Sequence, residues 1–134
     1  MNRTQAREQA FIFMFERLFN PELSFEEMSE LAQKSRFFET DDYTKEIFEK
    51  SVEYTDTADE IINKYAKGWK TTRLAKVTLC ILRLAIAEIM CVESVPDAVS
   101  ASEAVELAKK YAAPSDAQFI NGILGTVIRN KEQA

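Results

Sequence analysis

The chain contains no histidine. That removes Ser-His-Asp and Cys-His catalysis at a stroke, together with the commonest metal ligand. It has only two cysteines, Cys80 and Cys91. Eleven positions apart on one helix, they would stand about 16 Å from each other, beyond disulfide reach. They lack the paired spacing of a zinc site, so neither a metal nor a bound cofactor is expected. No P-loop and no GxGxxG segment is present. Three glycines and three prolines among 134 residues leave too few breakers for the turns of an all-β fold, and favour long helices with short connections. Strong positive charge is missing too. Lys and Arg number 17 against 22 Asp and Glu, a net charge of −5. Any nucleic-acid binding must therefore use a local basic patch or lean on a partner. The N-terminus carries no apolar signal segment. A cytoplasmic location in a reducing compartment is the expectation.

Apolar residues make up 46% of the chain, an ordinary share for a packed domain. Their periodicity is helical. A first helix is expected from about Thr4 to Phe19, with Ala10, Phe11, Met14 and Leu18 as its stripe. Within it, Ala10 to Phe15 is apolar on every face, as for a buried helix or one that awaits a partner. Asn20-Pro21 ends it. Ser24 and Glu27 form a capping box for a short second helix reaching about Ser35. Phe37 and Phe38 fall in a connection. Thr40-Asp41-Asp42 opens a long third helix through about Ala66, and Gly68 stops it. A short turn or helix follows around Arg73 to Lys76, with Thr71-Thr72 as its cap.

The run Thr78 to Val92 holds only two charges, Arg83 and Glu88. It is too short and too charged for a membrane span, so it reads as the central helix of a bundle. Both charges need partners on other helices, with Glu103 or Glu106 as the candidates for Arg83. Ser100-Ala101-Ser102-Glu103 reads as a second capping box, opening a helix that ends in Lys109-Lys110. The last helix carries Phe119, Ile120, Ile123, Leu124, Val127 and Ile128, with Gly122 as a point of close helix approach. The expected fold is all-α, a bundle of about seven helices in one domain. Its two packed subdomains span about 1–67 and 68–134.

Chemistry-bearing clusters are few. No nucleophile or general base stands out, so an enzyme is not expected. Arg3 and Arg7 share a face at the start of the first helix, being four apart, and a pair of arginines at a helix end can grip phosphates or stack on bases. Taken alone, the pair is better explained by surface charge and Phe119 by the core, and the helix C-terminal dipole is explanation enough for Lys109 and Lys110.

Several segments together match a known pattern. Ile81-Leu82-Arg83-Leu84-Ala85-Ile86-Ala87-Glu88-Ile89 is similar to an "LRxAxxEL" helix. Val95-Pro96 with Ser102-Glu103-Ala104-Val105-Glu106-Leu107-Ala108-Lys109-Lys110-Tyr111 is similar to "VP…NEAVELAKxY". Phe119-Ile120-Asn121-Gly122-Ile123-Leu124 is similar to "FVNGVL", and Ala6-Arg7-Glu8-Gln9-Ala10 to an "AREXA" start. In order and spacing the chain resembles the NusB family over nearly its whole length. The resemblance implies a transcription antitermination factor that binds boxA-type single-stranded RNA with NusE, a small-subunit ribosomal protein, within an RNA polymerase antitermination complex. It assigns RNA contacts to Arg3, Arg7, Gln118 and Phe119. It assigns partner contacts to Phe15 and to Thr78, which stands where the family carries an acidic residue. An adaptor on the same scaffold without RNA binding is the alternative. The RNA-binding domain of an RNA cytosine methyltransferase is a third possibility, against which stands the lack of a catalytic domain or methyl-donor motif. The sequence is compatible with a monomer or a homodimer.

Overall fold

A computed structural model of the chain describes residues 1–34, 42–68 and 70–131. Among them are seven α-helices and no strand. They are α1 Arg3–Phe19, α2 Phe25–Lys34, α3 Asp42–Glu53, α4 Thr55–Tyr65, α5 Lys76–Cys91, α6 Asp97–Tyr111 and α7 Pro114–Lys131, with a 3-10 turn at Thr71–Arg73 between α4 and α5. The expected connection at Phe37-Phe38 and the opening Thr40-Asp41 lie outside the described residues.

Local chemistry explains where the helices begin. Asn2 caps α1 reciprocally. Its side chain accepts the Gln5 N–H at 2.8 Å, and the Gln5 side chain accepts the Asn2 N–H at 3.0 Å. Ser24 caps α2 as expected, its Oγ accepting the Glu27 N–H at 3.1 Å. Three expectations change. The long third helix is two, broken at Tyr54, whose φ of −89° and ψ of 0° leave the helical range. There Ser51 Oγ donates to the Ile47 carbonyl and Thr55 Oγ1 to the Ser51 carbonyl, back-bonds of the kind that bend helices. Next, α6 starts at Asp97, directly after Pro96. Ser100 therefore sits inside the helix rather than capping it. Gly122 is exposed, and a Cβ there would meet nothing within 4 Å, so it marks no close approach. Gly68 does act as a stop, with φ at +85°, a conformation that other residues adopt only at a cost.

Helix α5 is the axis. Eleven of its 16 residues are buried, and it packs against α1, α3, α4, α6 and α7. One core cluster joins the halves of the chain, from Ala6 and Ala10 on α1 through Ile47 and Ile62 to Ile81, Ile86, Ile120 and Leu124. At the α1–α2–α3 junction Phe13 packs edge-on against Phe25 and Phe48, with ring centroids 5.6 and 6.4 Å away. Both cysteines are free. No helix among the described residues is long and apolar enough to cross a membrane.

Candidate nucleic-acid interface

The two charges of α5 both find partners on other helices. Arg83 makes a two-pronged contact with Asp59 of α4, Nε and Nη2 each 2.8 Å from a carboxylate oxygen. Glu103 and Glu106, the partners considered above, are not involved. Glu88 is 2% exposed and gathers four helices. Arg7 of α1 donates through Nε to both carboxylate oxygens, at 3.0 and 2.9 Å. Tyr43 of α3 donates its hydroxyl to Oε2, and Ser100 of α6 donates to Oε1 at 2.6 Å. Such density of donors is what a buried carboxylate requires. Burial, and then donation to Glu88, push the Tyr43 hydroxyl well above the usual tyrosine pKa. The contact set continues outward. Arg7 Nη1 lies 3.6 Å from Glu103, which accepts from the Thr4 hydroxyl at 2.7 Å.

The expected RNA residues therefore separate. Arg7 is 5% exposed and belongs to the buried cluster; it is neither a surface charge nor a free grip for phosphate. Arg3, one turn earlier, is exposed. Its guanidinium carbon lies 3.9 Å from the centroid of the Tyr43 ring. Gln118 is exposed on the first turns of α7. Phe119, its neighbour, is half-buried and packs against the core.

Two hollows lie along α6, one against α1 and one against α7. One, of about 370 Å³, is lined by Thr4 and Glu8 of α1 and by Glu103, Glu106, Lys109 and Lys110 of α6. The other, of about 560 Å³, is lined by Val105 and Lys109 of α6 and by Pro114, Gln118 and Asn121 of α7. Lys109 lines both. The sequence gives no hint of this role, because a lysine in the last turn of a helix is already explained by the dipole. Charge on this face is mixed. Glu8 takes the Lys110 ammonium and, at 2.6 Å, the Tyr111 hydroxyl. Burial pulls the Glu8 carboxyl upward, but these two donors outweigh it and hold the group below the usual carboxylate value. The Tyr111 hydroxyl is pushed up to about 12 by burial and by that same carboxylate.

The expected partner contacts also separate. Phe15 is half-buried in an aromatic row, 6.4 Å from Phe11 and 5.2 Å from Phe19. Phe19 is 60% exposed, and the Lys76 ammonium lies 5.9 Å from its ring. Thr78 is 2% exposed, so its side chain presents no surface. Its hydroxyl has no hydrogen-bond partner among the described residues.

Comparison with known proteins agrees with this architecture. Residues 4–129 match the model of the NusB family. The chain belongs to the NusB family. The transcription antitermination protein NusB of Dictyoglomus turgidum is 37% identical over 131 residues, covering 98% of this chain and 87% of that protein. NusB from T. maritima superposes with a TM-score of 0.82 at 26% identity, over 96% of this chain and 92% of that one. A chain of the crystal structure of antitermination factors NusB and NusE in complex with dsRNA superposes with a TM-score of 0.81 at 27% identity, over 95% and 96%. Two of the NusB signature segments meet at the buried carboxylate. The Glu of the "LRxAxxEL" helix is the buried Glu88, and the Arg of the "AREXA" start is its partner Arg7.

Proposed function

We propose that the chain is a non-enzymatic transcription antitermination factor that binds boxA-type RNA together with NusE, in the cytoplasm and as part of an RNA polymerase antitermination complex. One observation carries the RNA part. Gln118 at the start of α7 lines one of two hollows that share Lys109 of α6, and the other is lined by Thr4, the chain neighbour of the exposed Arg3. A single strand laid along this face would meet an arginine plane, a lysine and an amide in succession, the mix of stacking, charge and hydrogen bonding by which unpaired RNA is held. Arg7 supports the face from within, and Phe119 shapes the start of α7. Phe15 and Phe19, the outer members of the aromatic row that starts at the buried Phe11, supply the NusE surface, with Phe19 the most exposed large apolar side chain among the described residues. Thr78 contributes there through the packing of α5. In this reading the chain divides into subdomains at about 1–67 and 68–134, the two halves sharing one core.

The test is fluorescence anisotropy with a boxA-type RNA, with and without NusE, for the wild type, Arg3→Ala and Lys109→Ala. Binding is expected to be weak alone and tighter with NusE. It should fall with salt at about 0.7 log per log for each phosphate contacted. Arg3→Ala should lower affinity about tenfold and Lys109→Ala several-fold. Absence of binding with NusE present would sink the RNA reading. Capture of NusE without any RNA dependence would instead favour the adaptor.

A further inference from the structure

The strongest unassigned arrangement is the stack of Arg3 on Tyr43. The Tyr43 ring is 6% exposed, while Arg3, lying over it, is exposed. The ring is not free to turn away, because its hydroxyl is held by Glu88. Glu88 is in turn fixed by Arg7 and Ser100. An arginine on a helix's first turn ordinarily samples many rotamers, and ordering it on binding costs entropy. Here one face of the guanidinium plane rests on an aromatic ring. Donation of the tyrosine proton toward a carboxylate enriches that ring in electron density, which strengthens its hold on a cation. Arg3 as a whole is exposed, so the rest of its guanidinium is available to stack on a base or to grip a phosphate.

We infer that Tyr43 is a positioning residue for RNA binding, which sets the Arg3 guanidinium flat and pre-ordered at the α1 end of the RNA face through its anchorage to Glu88. This rests on the RNA-binding reading above and adds to it a residue that itself touches no RNA. Arg3 and Tyr43 must then act as a unit. In the wild type, Arg3→Ala lowers RNA affinity about tenfold; in a Tyr43→Leu background the same change costs less than about twofold. A purely structural role for Tyr43 would lower affinity without altering what Arg3→Ala costs.

The experiment is this double-mutant cycle, read by anisotropy with boxA-type RNA and NusE, on protein whose folded fraction is checked by circular dichroism. Equal costs of Arg3→Ala in the two backgrounds would overturn the inference while leaving RNA binding intact. No RNA binding by the wild type would overturn the functional reading, and this inference with it. Should Tyr43→Leu fail to fold, proton NMR of the free wild type decides. The Arg3 δ-methylene protons are expected upfield of their random-coil position from the Tyr43 ring current. Random-coil shifts there would overturn the stack.

Discussion

Removing the Arg7 side chain would leave the Glu88 carboxylate buried with two neutral hydroxyl donors, Tyr43 and Ser100, and without the guanidinium that faces both its oxygens. Breaking a buried pair by deleting one partner typically costs about 3–5 kcal/mol. Arg7→Ala is therefore expected to lower the unfolding free energy by about that amount in urea denaturation. A loss below about 1 kcal/mol would show that the charge on Glu88 is not held by Arg7. Arg3→Ala, four residues away on an exposed turn, should shift stability by less than about 1 kcal/mol. The two arginines look alike in sequence, since i and i+4 place them on one helix face. What separates them is a carboxylate 81 residues further on, and no local pattern carries that information. The same limit applies at Thr78. Its position in the motif points to a partner surface, yet α5 is so enclosed that the side chain is buried.

Helix identity and order were legible because the apolar stripes repeat at the helical period over long stretches. Arg83 and Glu88 were legible as charges that need partners on other helices, because a desolvated charge cannot stand alone. Their actual partners, Asp59 and Arg7, depend on how α4 and α1 lie across α5, which spacing does not encode. The break at Tyr54 was hidden because the stripe of Tyr43, Ile47, Tyr54, Ala58 and Ile61 continues in phase across it. The asparagine cap of α1 was readable in principle, from Asn2 and Gln5 at the spacing of a capping box. Gly122 shows the opposite error, a small residue credited with a packing role. It sits exposed in the middle of α7 with open space around it, so it only lowers helix propensity. Gly122→Ala should raise the unfolding free energy by about 0.5–1 kcal/mol in thermal or urea melts. Destabilisation would mean that α7 approaches another backbone at that point.

For the molecule as a whole, charge state and fold are linked at high pH through Tyr43 and Tyr111. The Tyr43 hydroxyl is raised above the usual value near 10 by burial, and further by its donation to Glu88. In the unfolded chain it would lose its proton near pH 10, while the folded state retains it. Its contribution to stability is complete below pH 10 and is lost as pH rises toward the folded-state value, by up to about 1.4 kcal/mol per pH unit. Tyr111 acts in the same direction, more weakly because it lies nearer solvent. Tm measured from pH 9 to 12 should fall ever more steeply above 10, and Tyr43→Phe should flatten that fall. An unchanged profile in Tyr43→Phe would place the alkaline loss elsewhere. Glu8 acts at the other end of the scale, its stabilisation present above about pH 4.5 and lost as pH drops through its lowered value.

The carboxylate of Glu88 draws its donors from residues 7, 43 and 100. A ribosome releases those positions in order, and the last of them belongs to α6. During synthesis the start of α1 can coil into a helix early. Its arginine cannot be clamped until α5 has emerged, nor the clamp be completed until Ser100 has followed. The end of the molecule made first is thus among the last to be locked, and a nascent chain stalled before residue 100 would carry its first helix with an incomplete latch.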